Sequence, residues 1–334
     1  MSAWLLVSGV LLLSFVLTGA LRQLAIRRQL LDIPNHRSSH SVPTPRGGGL
    51  AIVLSFILAL FVLYSLEGIN SVELIALVVS GAVIALIGFF DDLGHIAARW
   101  RLLGHFGAAI SGLYFLGGMP ELVIAGFVFE TGILTGVLAT LYLVWMLNLY
   151  NFMDGIDGIA SVEAVTVCVG AAVLYSLSGN IPSALPVLLL AGCSVGFLIW
   201  NFPPAKIFMG DAGSGFLGIT LGILSVQAGW YDPVLFWGWL ILLGVFIVDA
   251  TITLLRRLSR GEKVYEAHRS HAYQFASRHY ASHKVVTIGV AVINVLWLLP
   301  LSILVVLGLL ESWLGLLVAY VPLVFLALRF NAGR

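Results

Sequence analysis

Asp91-Asp92, Asp154 with Asp157, and Asp211 place five carboxylates in short polar interruptions of an otherwise apolar chain. Neighbouring carboxylates such as Asp91 and Asp92 repel, so one tends to keep its proton unless a cation neutralises the pair. Hard oxygen ligands of this kind suit Mg²⁺ shared with a phosphate. A solvated helix end is the plainer alternative for these two. Asp154 and Asp157 belong to Asn151-Phe152-Met153-Asp154-Gly155-Ile156-Asp157-Gly158. Spaced by three, they share a face if the segment is helical, and the glycine after each lets backbone or ligand come close. A loop with an ordinary helix cap is the alternative, but a cap requires neither two acids nor Asn151. Asp211 lies in Phe208-Met209-Gly210-Asp211-Ala212-Gly213-Ser214-Gly215. Small residues opening a helix offer N–H groups and a positive dipole end to an anion; Asp211 as a cap is the alternative. Lys206 just upstream could meet a phosphate or snorkel to the interface with equal ease.

Two further segments carry bases. Glu266-Ala267-His268-Arg269-Ser270-His271 sets two histidines three apart. Zinc is a poor match beside magnesium-type carboxylates and no nearby cysteine, so contact of His268, Arg269 and His271 with a phosphate or uridine is favoured over a solvated loop. The segment from His36 through Arg37, Ser38, Ser39, His40 and Ser41 to Arg46-Gly47-Gly48-Gly49 offers cations, hydroxyls and a glycine run entering a helix. It reads as an anion cradle, with no P-loop spacing and hence no case for NTP hydrolysis. Asp249, about two turns before Arg256, is either functional or simply paired with an inner-side polar group.

The elements that must hold these residues are membrane helices. The chain has 334 residues, 60% apolar and only 10% charged, with a mean hydropathy of +1.04. A soluble domain carries about 25% charged residues and could not bury so much apolar surface. The net charge of +1 and the lack of a dense basic run give no reason to expect nucleic acid. Cys168 and Cys193 lie inside apolar runs, so neither a disulfide framework nor a cysteine metal site is expected. Spans of roughly 20 apolar residues are expected near 3–22, 48–66, 71–90, 101–117, 132–149, 157–178, 181–200, 212–230, 233–255, 285–307 and 311–329, with a β-like or re-entrant piece at 118–130. Arg22, Arg27 and Arg28 follow the first apolar stretch rather than precede it, the reverse of a cleaved signal peptide. With the N-terminus outside, all 17 Lys and Arg fall on the cytoplasmic side, whereas outer loops hold only Glu67, Glu73, Glu121, Glu130, Asp232 and Glu311. The expected fold is an all-α, polytopic helical bundle of about eleven transmembrane helices with a cytoplasmic C-terminus. It forms one domain over 1–334, with the active site built from loops 23–47, 91–100, 150–157, 201–211 and 256–284.

At these residues the sequence resembles the polyprenyl-phosphate N-acetylhexosamine-1-phosphate transferase superfamily, glycosyltransferase family 4. The resemblance runs from about His36 to His271 and rests on Pro45-Arg46-Gly47-Gly48-Gly49, Asp91-Asp92, 151–158, 209–214 and the late histidines. It implies transfer of a sugar phosphate from a UDP-sugar to a polyprenyl phosphate, with release of UMP and a need for Mg²⁺ (or Mn²⁺ in its place). By resemblance Asp211 and Asp154 or Asp157 hold the metal, Asp91 or Asp92 positions or deprotonates the lipid phosphate, and His268 and His271 contact the nucleotide-sugar. The family's Asp-Asp motif often has a lysine three residues on; here His95 stands there, and Arg99 is a candidate substitute. Peptidoglycan members carry three consecutive histidines where this chain has His-Arg-Ser-His, which argues against a muramoyl-pentapeptide donor. An O-antigen-initiating enzyme of lipopolysaccharide biosynthesis, using UDP-GlcNAc, UDP-QuiNAc or UDP-FucNAc, is preferred, placed in a bacterial inner membrane.

The implied partners are undecaprenyl phosphate, a UDP-N-acetylhexosamine and the bilayer, with a homodimer allowed. Such a reaction is largely positioning and electrostatics. A phosphate monoester is already mostly ionised at pH 7, since its second pKa is about 6, so Asp92 need only orient it. An aspartyl-phosphate on Asp91 or Asp92 is the rival scheme. From another class, a transporter or flippase would place its polar groups nearer mid-membrane, often in repeated halves, and neither feature shows.

Overall fold

The computed structural model describes residues 3–34, 42–94, 96–263 and 268–334. Helix occupies each expected span: α1 (Ala3–Arg27), α2 (Leu50–Ser65), α3 (Ser71–Leu93), α4 (Ala98–Leu116), α5 (Ile133–Met153), α6 (Ile159–Leu177), α7 (Ala184–Asn201) after a 3₁₀ turn, α8 (Asp211–Tyr231), α9 (Pro233–Leu242) and α10 (Gly244–Ser259). A short α11 (Ala272–His279) precedes α12 (His283–Ile293), which runs through a π turn into α13 (Leu299–Val306), and α14 (Ser312–Arg329) follows. Eight helical segments are long and apolar enough to cross a membrane, and α9 with α10 adds a ninth if their 68° bend lies within one span. At 16 residues, α2 covers only about 24 Å of a hydrocarbon core of about 30 Å. The first two turns of α4 carry Arg99, Arg101 and His105, which lowers its hydropathy. The chain is a multi-pass, all-α membrane protein.

Local chemistry sets several helix starts. Asn70 and Glu73 form a reciprocal capping box on α3, Asp232 caps α9 ahead of Pro233, and Ser282 caps α12. α8 is the axis of the bundle, buried at every residue from Ala212 to Gly229, as a helix apolar all round should be. It packs chiefly on α3 and α5, while α1, α6 and α7 form a second group. Close approach requires glycine at two contacts: a Cβ on Gly218 would lie 2.6 Å from the Leu147 Cα, and one on Gly88 2.5 Å from the Ala212 nitrogen. Membrane helices commonly meet over such small residues. Outward-facing apolar side chains, Ile133 at 90% exposure and Phe325 at 69%, suit contact with lipid.

The C-terminal ends of α3 and α5 and the N-terminal ends of α4 and α8 meet at one end of the bundle. The segment 118–130 forms a two-stranded hairpin, β3 (Leu122–Ile124) with β4 (Phe127–Phe129), between the far ends of α4 and α5. At the near end, a small ribbon of β1 (Leu31–Asp32) and β2 (Thr44–Pro45) pairs Leu31 with Pro45 and Asp32 with Thr44.

Candidate active site

A cleft of about 260 Å³ opens at that near end. Asp92, Asp154, Asp157, Asp211, Arg46 and Asn151 all line it, with Asp32, Gln274 and His283. Six residues singled out from sequence thus meet in one place, drawn from four stretches of chain.

Asp211 opens α8 but does not cap it. Its Oδ1 instead accepts an N–H from Asn151 Nδ2 at 3.0 Å, and the same nitrogen donates to Ser214 Oγ at 3.0 Å. The N-terminus of α8 is served by Asp92, whose Oδ2 accepts the Ala212 N–H at 3.5 Å. Expected to await a ligand anion, this helix end already faces an anion of the chain. The Arg46 guanidinium donates to the Asp92 carbonyl oxygen and lies 3.9 Å from its Oδ1.

Asp91 faces the other way, into a small cavity of about 30 Å³ behind the cleft that shares Asn151 and Asp211 with it. The Arg101 guanidinium pairs with Asp91 and stands 3.8 Å from Asp211 Oδ2. Arg99 does not do this; its guanidinium lies 5.6 Å from the Trp100 ring. Among the described residues the α4 cation that pairs with Asp91 is therefore Arg101, two residues beyond Arg99.

Asp154 and Asp157 are not on a helix. Asp154 follows the last residue of α5, and residues 154–158 turn into α6. Burial, together with Asp211, Asp92 and Asp157, holds the Asp154 carboxyl well above the usual carboxylate range. Asp157 Oδ2 accepts the Ala205 N–H at 3.0 Å and its Oδ1 lies 3.2 Å from His283 Nδ1. Asn201 ties the same turn down, accepting the Gly158 N–H at 3.0 Å and donating to the Ile207 carbonyl at 2.9 Å.

The glycine run after Arg46 is not an open cradle. Gly48 and Gly49 donate their N–H groups to the Phe208 and Met209 carbonyls at 2.9 Å each. A Cβ on Gly49 would come 2.5 Å from the Gly213 Cα, so glycine there serves close packing of two motifs. His36, Arg37, Ser38, Ser39, His40, Ser41, His95, Glu266 and Ala267 lie outside the described residues.

Four expected contacts stand away from the cleft lining. The Lys206 ammonium lies 5.6 Å from the Trp200 ring centroid. Arg269 is exposed. His271, 3% exposed, lies with its Nδ1 3.3 Å from Asp249 Oδ1. His268 stacks on His271 with ring centroids 5.0 Å apart, and burial, then His271, pushes its imidazole down to about 4. Asp249 is thus paired with a polar group of the chain, His271. Sequence reading missed Arg101, Asn201, Gln274 and His283; only Arg101 and His283 carried a signal, as ionisable residues inside or at the start of an apolar segment.

Residues 74–229 match the model of glycosyl transferase family 4. The chain is 30% identical over 316 residues, 83% of its length, to the decaprenyl-phosphate N-acetylglucosaminephosphotransferase of Mycobacterium leprae, and covers 77% of that protein. The chain belongs to glycosyl transferase family 4. A probable undecaprenyl-phosphate N-acetylglucosaminyl 1-phosphate transferase of Bacillus subtilis is 29% identical over 323 residues, with 95% of this chain and 88% of the relative aligned. A phospho-N-acetylmuramoyl-pentapeptide-transferase of Streptococcus pneumoniae is 31% identical over 252 residues, 70% of this chain and 74% of that one.

Among the described residues, no three His, Cys, Asp or Glu side chains converge as a closed metal shell. That donor set still fits magnesium, which is usually held by one or two carboxylates with substrate phosphates and water completing the octahedron. Asp154 and Asp211 are the pair on this cleft that could supply them.

Proposed function

We propose that this family 4 member transfers an N-acetylhexosamine-1-phosphate, of the GlcNAc, QuiNAc or FucNAc type, from a UDP-sugar to undecaprenyl phosphate, releasing UMP and starting a lipid-linked glycan such as an O-antigen. The observation that carries this reading is the single cleft where Asp92, Asp154, Asp157 and Asp211 face Arg46 and Asn151. Such a set suits a pyrophosphate brought in with a divalent cation. The names of the relatives support a polyprenyl-phosphate acceptor and an amino-sugar phosphate donor. The interrupted His268-Arg269-Ser270-His271 string supports a donor other than a muramoyl-pentapeptide.

A second cavity of about 240 Å³, lined by Leu21, Leu24, Leu50 and Phe89, shares Arg46 and Asp92 with the cleft. It supports an acceptor whose prenyl chain lies in the apolar part and whose phosphate meets Arg46, with Arg28 also on the wall. In this scheme the lipid phosphate oxygen attacks the β-phosphorus of the UDP-sugar, the bond from that phosphorus to the bridging oxygen breaks, and UMP leaves. Asp92, held by the α8 N-terminus and Arg46, orients the acceptor rather than acting as a nucleophile. Asp154 and Asp211 would hold Mg²⁺, which supplies charge neutralisation at the pyrophosphate. Arg101 balances Asp91 and Asp211 behind it. The concentration of Arg22, Arg27, Arg28, Arg46 and Arg101 at this end supports a cytoplasmic cleft.

The test presents purified protein with Mg²⁺, undecaprenyl phosphate and one donor at a time: UDP-GlcNAc, UDP-QuiNAc, UDP-FucNAc or UDP-MurNAc-pentapeptide. Turnover with one of the first three supports the reading. Turnover with the pentapeptide donor alone would replace it with the peptidoglycan reaction.

A further inference from the structure

Asp249 lies on α10, off the cleft and 6% exposed, yet it is surrounded by donors. Its Oδ1 accepts the Ala272 N–H at 2.9 Å and the Thr253 hydroxyl at 3.1 Å, and its Oδ2 accepts the Tyr273 N–H at 2.9 Å. The first N–H groups of a helix have no partner within it, and α11 at eight residues is far too short to persist unaided. Asp249 supplies what α11 lacks. The segment just before α11 is fastened from the C-terminal residues: Gly333 N–H donates to the Ser270 carbonyl at 2.6 Å, and Arg256 Nη1 holds the Ala332 carbonyl at 2.6 Å.

The side chains of Tyr273 and Gln274 reach the turn after α5. The Tyr273 hydroxyl donates to the Phe152 carbonyl at 2.9 Å. It also fills the space beside Gly155, where a Cβ would come 2.1 Å from that hydroxyl and 3.0 Å from Gln274 Nε2. Phe152 and Gly155 flank Asp154, and Gln274 is itself a lining residue. One continuous set of contacts therefore runs from Asp249 through α11 to the turn that carries Asp154 and Asp157.

We propose that Asp249 is a positioning residue: it fixes α11, and α11 through Tyr273 fixes the Asp154–Asp157 wall of the cleft. The kinetic part of this rests on the cleft being the transferase site; the mechanical part does not. Supporting groups of this kind commonly matter by 10–100-fold without touching substrate.

The experiment is amide hydrogen exchange on the full-length protein, as wild type, Asp249→Asn, Tyr273→Phe and the double variant, with kcat and KM measured alongside. Exchange across 152–158 should rise about tenfold in each single variant, as when one supporting hydrogen bond is lost, while the α1–α7 contact stays unchanged. The double variant should exchange no faster than the faster single one, because both act through the same contacts. kcat should fall about 10–100-fold in each, with the KM for undecaprenyl phosphate within about twofold. Tyr273→Phe removes one hydroxyl and keeps the result decisive if Asp249→Asn folds poorly. Unchanged exchange at 152–158 in Tyr273→Phe, or a rise spread evenly over every helix, would overturn the proposal. A wild type that releases no UMP would instead remove the transferase reading and leave the exchange result to stand.

Discussion

Replacing Arg101 with methionine removes the guanidinium between Asp91 and Asp211 while keeping most of the stem. The Arg101 nitrogen lies 3.8 Å from Asp211 Oδ2, worth about 4 kcal/mol at an effective dielectric of about 20. Solvent reduces this, because the Arg101 side chain is 31% exposed and that of Asp211 40%; about 1–2 kcal/mol is a fair remainder. At 1.4 kcal/mol per factor of ten, kcat/KM should fall about 5–30-fold. The sign of a second effect is more informative. Losing a positive charge beside the carboxylates strengthens their pull on a divalent cation, so the half-saturating Mg²⁺ concentration should drop even as kcat falls. UMP release across a Mg²⁺ titration reads both quantities. Arg101→Lys, which keeps the charge and loses the fork, should fall between. A variant with unchanged kcat/KM, or one that needs more Mg²⁺ than wild type, would refute the assignment of Arg101 as the counter-charge of Asp91 and Asp211.

Further outcomes follow from the same geometry. The folded-state pKa of Asp154 is raised, so the unfolded chain ionises this group first. In EDTA, stability should fall as pH rises above the ordinary carboxylate value of about 4 until the folded carboxyl itself ionises. Melting temperatures at pH 5 and 8, with EDTA or Mg²⁺, check this; a melting point in EDTA that climbs with pH contradicts it, and Asp154→Asn should flatten the slope. Gly88→Ala drives a Cβ to 2.5 Å from the Ala212 nitrogen and should destabilise the protein by about 1–3 kcal/mol, seen as a lower melting temperature with weakened Mg²⁺ dependence. His283→Ala takes one partner, at 3.2 Å, from Asp157; kcat/KM should drop about tenfold, in the range seen when a charged group loses one of its hydrogen bonds, whereas His283→Gln should recover part of it. Asn294→Leu leaves the buried Glu163 without the N–H it receives at 2.7 Å, costing about 1–3 kcal/mol of stability.

Much of the bundle was legible because hydropathy acts locally. Helix covers each expected span to within a few residues, and Asp92, Asp154, Asp157 and Asp211, which meet on one cleft, stood out because acids at membrane depth are expensive. What was hidden is long-range or conformational. Asp154 and Asp157 read as an i, i+3 pair, yet α5 ends at Met153 and residues 154–158 turn, so they converge through tertiary contacts. The glycines at 47–49 read as a ligand cradle, but the Gly48 and Gly49 amides are bonded to 208–209, a pairing no local pattern reveals. His271 read as a ligand contact; only the fold shows Asp249, 22 residues earlier, against its ring. Arg101 was read as the first residue of a span because composition does not say which way a side chain turns.

The central claim is tested most directly by following UMP and lipid-linked sugar pyrophosphate together in one reaction of purified protein, Mg²⁺, undecaprenyl phosphate and UDP-GlcNAc, UDP-QuiNAc or UDP-FucNAc. With one of these donors the two products should appear in equal amounts, only when donor and lipid are both present, and should vanish in Asp211→Asn protein that still folds. Folded protein that yields neither product with any donor, yet moves lipid or sugar nucleotide across a vesicle membrane, would contradict it.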